Sequence, residues 1–206
     1  MSSASSSIIE HIATSCKAGQ ASMYYFYFDF RDIRKQHWHD LVRSLLTQLS
    51  NRSGPCCDLL SRLHKEHDNG AQQPSDGSLE QTLKEMLTLH ERPIYLIIDA
   101  LDECSNSSGI PSPRERVLLL LKDLVGLRLR NLHICVTSRP EIDIRDVLEP
   151  LAAHGVSLHD QSGQKQDIVD YVRSIVYSES EPIISRWKKE DKEDVIATLS
   201  ERADGM

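Results

Sequence analysis

Ile94-Tyr95-Leu96-Ile97-Ile98-Asp99-Ala100-Leu101-Asp102-Glu103-Cys104 decides the fold of this 206-residue chain. Pro93 introduces a run of strand length that is apolar at nearly every position and closes on an acid. Continuous rather than alternating hydrophobicity marks a strand covered on both faces, as in a parallel sheet. A carboxylate at the end of such a strand lies at the sheet's C-terminal edge, where α/β folds bind their ligands. Asp102 and Glu103 follow close behind and could orient or deprotonate a water there. A strand followed by an acidic turn, with no ligand at all, satisfies the same residues.

Working outward, Leu132-His-Ile-Cys-Val-Thr137-Ser138-Arg139-Pro140 repeats the design. A buried strand delivers a hydroxyl pair and an arginine to the same edge. Such an arginine can stabilise phosphate charge, or it can pair locally with Glu141 or Asp143. Upstream, Met23-Tyr-Tyr-Phe-Tyr-Phe-Asp-Phe30 holds all three phenylalanines and half of the six tyrosines, a third buried strand. Trp38, Leu41, Val42, Leu45, Leu46 and Leu49 keep helical spacing. A weaker helix is predicted at 56–66, and Ser78 with Gln81 predicts a capping box for a helix through Leu87. Ser112-Pro-Arg-Glu115 is a second capping box, opening a helix that includes Val117–Val125. A short helix at 141–149 and a strand at 156–159 follow. Ile8, Ile9, Ile12 and Cys16 predict a helix at the start, and only helices are expected beyond about 164.

Composition narrows the class. With 24 basic and 31 acidic residues the net charge is −7, which argues against a nucleic-acid-binding surface. No apolar run approaches the ~18 residues of a membrane span, and Met1–Ser7 lacks the charged and apolar regions of a signal peptide. Five cysteines in no metal or CxxC spacing read as reduced thiols, and a cytoplasmic location is expected. His37/His39 and His64/His67 read as helix surface rather than metal ligands, and Cys56-Cys57 as an idle pair. The fold class is therefore α/β, strands alternating with helices.

The two edge motifs together resemble the NACHT family of STAND-class P-loop NTPases, most closely its fungal, nephrocystin-type members. Tyr24–Asp29, Leu45–Ser50, Tyr95–Cys104 and Leu132–Glu141 carry the resemblance, and Asp167–Val172 and Arg202–Met206 extend it. It implies a three-layer P-loop NTPase-like core over 1–160 and the start of a helical lid or winged-helix region over 161–206. It further implies ATP or GTP bound with Mg²⁺, Asp99 as the Walker B acid at the metal, and Ser138 near the nucleotide. Asp102 and Glu103 would lie near the attacking water, and Arg139 would be the sensor arginine. Partners would be other NACHT protomers and fused effector or repeat domains, with nucleotide state as the switch.

One departure matters. The family's Gly-rich phosphate loop ending in Gly-Lys-Ser/Thr should precede the first helix, yet no GxxxxGK[ST] occurs in the 206 residues. Against the family pattern Met1 falls about where the lysine belongs and Ser2 where the hydroxyl belongs. The backbone N–H cradle and the lysine that hold β- and γ-phosphates are thus missing, so the chain alone is expected not to hydrolyse nucleotide. A catalytically dead remnant acting through protein contacts is the alternative. The family sheet order is 5-1-4-3-2, and 24–29, 94–99, 132–137 and 156–159 stand for strands 2 to 5. Missing strand 1 predicts an open edge on strand 4, and both ends of the chain read as cut.

Overall fold

A computed structural model describes residues 12–107, 109–155, 162–178 and 187–202. Three parallel strands form one sheet in the order β1 (Ser22–Tyr27), β2 (Ile94–Asp99), β3 (Leu132–Val136). The neighbours are those expected of strands 2, 3 and 4. The strand expected at 156–159 and residues 8–11 of the opening helix lie outside the described residues. The helix α1 is seen over 12–17. Between β1 and β2 come α2 (Trp38–Ser50), α3 (Gly54–Glu66) and α4 (Asp76–Thr88). The helix α5 (Pro113–Gly126) links β2 to β3, and α6 (Ile142–Leu148) follows β3. The chain is α/β, a three-stranded parallel sheet flanked by helices, with further helices after it.

Both crossovers step in the same direction along the sheet, so right-handed connections put their helices on one face. Tyr24, Phe26, Phe28, Ile94, Leu96 and Ile98 point to that face and share one core with Trp38, Leu41, Leu45, Leu83, Met86, Val117, Leu121 and Ile144. Burying each large apolar side chain in it is worth about 1.5–3 kcal/mol. The opposite face carries the odd-numbered residues. Ile97 is buried there, but Tyr25 is 43% exposed and Tyr95 stacks on the exposed His133 with ring centroids 4.9 Å apart. The aromatic run is therefore half core and half surface, and the first strand ends at Tyr27 rather than reaching Asp29 or Phe30.

Helix starts show what local signals decide. The Ser112 box forms as expected: its Oγ accepts from Glu115 N–H at 3.2 Å, and Glu115 Oε2 accepts from Ser112 N–H at 2.7 Å. The box expected at Ser78 does not form. The helix α4 begins at Asp76, with Ser75 as the cap accepting from Ser78 N–H at 3.1 Å. The earlier start places Asp76 in the first turn, against the positive end of the helix dipole. It also brings the Asp76 carboxylate to Arg116 and to His39. Hydrogen bonding to those two holds the Asp76 carboxyl below its ordinary range, against the opposing effect of partial burial.

Parity fixes the edge of β3. Asn131 C=O accepts from Ile94 N–H and Thr137 N–H donates to Ile98 C=O, so odd residues bond inward and Ile134 and Val136 point outward. Among the described residues no strand pairs with that side. The amides of Ile134 and Val136 are expected to exchange with solvent far faster than those of Leu96 and Ile98 in native-state hydrogen exchange. Equal protection at all four would show that the edge is covered.

Contacts divide the chain into units Met1–Ala152 and Ala153–Met206. In the second, α7 (Ser162–Val176) packs along α8 (Lys189–Arg202), with Val176 and Ile196 buried. Ile175, on the same helix as Val176, is 40% exposed.

Candidate functional site

The C-terminal ends of all three strands converge, and Thr137 is the knot. Its N–H donates to Ile98 C=O at 2.9 Å and its C=O accepts from Leu101 N–H at 3.0 Å. Its hydroxyl donates to Asp99 Oδ1 at 2.6 Å and accepts from Ala100 N–H at 3.1 Å. Asp99 is only 3% exposed, so a charge-assisted bond of this length is a strong constraint on its carboxylate. Immediately after Asp99 the backbone turns through Ala100 at φ 55°, ψ 50°, a left-handed conformation that costs a non-glycine residue of order 1 kcal/mol. The turn feeds the single 3₁₀ turn Leu101–Glu103.

That turn aims both acids at neighbouring strand ends. Asp102, its side chain 11% exposed, accepts from Arg139 N–H at 3.1 Å through Oδ1, and its Oδ2 lies 3.5 Å from Arg139 Nε. Glu103 Oε2 accepts from Phe30 N–H at 3.1 Å. Arg139 thus pairs with Asp102, not with Glu141 or Asp143, while its side chain remains 80% exposed. The five sequence-read site residues separate into three roles in this geometry. Asp99 is buried under Thr137, and Asp102, Glu103 and Arg139 brace the three strand ends together. Ser138 turns away, its Oγ donating to the Arg139 carbonyl at 2.7 Å.

Two residues that the sequence did not single out hold the site. Thr137 was visible only as half of a hydroxyl pair. Arg114, 8% exposed, lies beneath the acidic turn. Its Nη2 donates to Asp102 C=O at 2.5 Å, Nε to Cys104 C=O at 3.3 Å, and Nη1 to the Asp143 carboxylate at 3.3 Å. The available signal was a misfit: a cation in the first turn of α5, where the helix dipole disfavours one. The Cys104 thiol is buried and donates to Gln36 C=O. Burial pushes it up to about 12, so it offers no thiolate nucleophile at neutral pH.

Of the two histidine pairs only His64 is exposed; His37, His39 and His67 are half-buried. His39 bonds Asp76, and His67 bonds the Leu63 carbonyl. Among the described residues no group of three or more His, Cys, Asp or Glu side chains is placed to hold a metal. Cys56 is buried and Cys57 exposed, and all five cysteines are free. Among the described residues no helix is long and apolar enough to cross a membrane.

A family model described as Nephrocystin 3, N-terminal, matches residues 2–139. Its limits take in the acidic turn and end at Arg139. No curated protein and no solved structure matches the chain.

Proposed function

The chain belongs to the nephrocystin 3 N-terminal family, and from that premise we propose that its first unit is the core of a NACHT-type signalling NTPase module that does not hydrolyse nucleotide by itself. The observation that supports this is the convergence of Asp99, Asp102 and Arg139 at the C-terminal edge of a parallel sheet in the order β1-β2-β3. In the full module nucleotide state would set contacts with other NACHT protomers and with fused effector or repeat domains. Free thiols throughout agree with a cytoplasmic setting.

The nucleotide would be ATP or GTP with Mg²⁺. Mg²⁺ commonly uses one or two carboxylates, with waters and phosphate oxygens completing the shell. A buried Asp99 at the strand end fits the part of such a carboxylate, with water and phosphate oxygens left to supply the rest of the shell. Asp99 would hold the ion directly or through water, and the ion would neutralise charge between β- and γ-phosphates. Thr137 fixes the carboxylate that does so. Asp102 and Glu103 each already accept a backbone N–H through one oxygen, so any water they orient would use their remaining acceptor sites.

Phosphoryl transfer relies on positioning and electrostatics. The 206 residues contain no GxxxxGK[ST] cradle, and the arginine that would meet a γ-phosphate is paired with Asp102. The pairing also favours the second reading, an interaction module whose acids and arginine are purely structural. Steady-state phosphate release from ATP·Mg²⁺ by the purified chain is expected to equal the buffer control. Turnover above that control, abolished by Asp99→Asn, would overturn the proposal.

A further inference from the structure

The strand β1 forms one border of the sheet. Ser22 N–H donates to Pro93 C=O and Phe28 N–H to Asp99 C=O, so its even residues bond inward. Met23, Tyr25 and Tyr27 therefore present their N–H and C=O groups outward. A free row of this kind is a template for another strand. In this chain side chains fill it. The Gln48 carboxamide binds Tyr25 as a neighbouring strand would: Oε1 accepts from Tyr25 N–H at 3.2 Å and Nε2 donates to Tyr25 C=O at 2.8 Å. Gln48 is steadied from the preceding turn by Ser44 Oγ, 3.1 Å away. Four residues on, Arg52 donates to Met23 C=O at 3.0 Å, and its guanidinium lies 5.5 Å from the centre of the Tyr24 ring.

We propose that the outer edge of β1 is a strand-pairing surface for a second copy of this chain, held shut by Gln48 and Arg52. Among the described residues the closure is by side chains, and a groove of about 420 Å³ whose lining includes Tyr25, Tyr27, Lys35, Ser44, Gln48 and Arg52 lies alongside. Ser22–Tyr27 carries no charge, proline or glycine and four of its six residues are aromatic, the composition of segments that pair when uncovered. Antiparallel pairing about Tyr25 would match each copy's outward N–H and C=O with the other's, closing a two-fold interface. The strand residues themselves bring no like charges together. The inference is independent of the nucleotide reading.

The test is sedimentation velocity on the full chain, wild type against Gln48→Ala/Arg52→Ala. The double variant is expected to show a weight-average mass rising with concentration toward roughly double the wild-type value, with slower amide exchange across 23–27. Adding Tyr25→Lys, a charge on the exposed edge, should return the mass to wild type. A folded double variant whose mass matches wild type overturns the proposal, as does a rise that Tyr25→Lys leaves in place. If the double variant loses its helical circular dichroism, Gln48→Ala alone is read by the same two criteria. That substitution puts the best helix former on a half-buried helix position and leaves Arg52 in place.

Discussion

Replacing Arg114 by methionine is expected to cost about 3 kcal/mol of unfolding free energy, a large part of a normal domain's stability. Methionine fills much of the same space, so the loss isolates hydrogen bonding from cavity formation. Two backbone carbonyls, of Asp102 and Cys104, lose their donor beneath a turn whose Leu101 and Cys104 are buried. An orphaned buried acceptor costs about 1–3 kcal/mol. The Asp143 carboxylate also loses its partner, but its side chain is 37% exposed and water compensates. Asp143→Asn should therefore cost less than about 1 kcal/mol, and Arg114→Lys should recover only part of the loss, since one ammonium cannot reproduce the fork. Thermal unfolding should report a drop of roughly 6–12 °C for Arg114→Met. A drop no larger than that of Asp143→Asn would mean that the carbonyls are satisfied in another way.

The contrast between what was legible in the sequence and what was not follows the range of each interaction. Ile94–Asp99 reads as a strand because its own residues are apolar up to the closing acid, and the order of β1, β2 and β3 is the one that the family resemblance implied. Ser112 and Glu115 lie three apart, and their box formed as read. The start of α4 was misread because two serines compete there, and the winner was chosen by Arg116 and His39, 40 and 37 residues from Asp76. Gln48 is a polar position among the apolar residues of α2. Only the fold shows that its amide replaces a strand partner at Tyr25. For Arg139 the local partners on offer were Glu141 and Asp143, near in sequence, yet it pairs with Asp102 on the adjoining strand end. Local signals set elements and long-range ones set the site.

The same logic makes Thr137→Val the sharper probe of the candidate site, with an expected cost of about 2–3 kcal/mol. Valine preserves the volume and the branching at Cβ and removes only the hydroxyl. That hydroxyl is the 2.6 Å donor to Asp99 and the 3.1 Å acceptor from Ala100 N–H. A buried carboxylate would lose a charge-assisted donor, worth more than a neutral one. Ala100 would lose a bond that helps to hold it at φ 55°. Thr137→Ser keeps the hydroxyl and should stay within about 1 kcal/mol of wild type, the loss of a single methyl group. Urea unfolding at neutral pH should show the valine midpoint falling with an unchanged slope. The amides of Leu101 and Arg139 should also exchange faster, because the acidic turn and the β3 end are tied through this residue. If valine is as stable as threonine, the hydroxyl does not fix Asp99. The order of this strand end would then have to come from the Asp102–Arg139 brace alone.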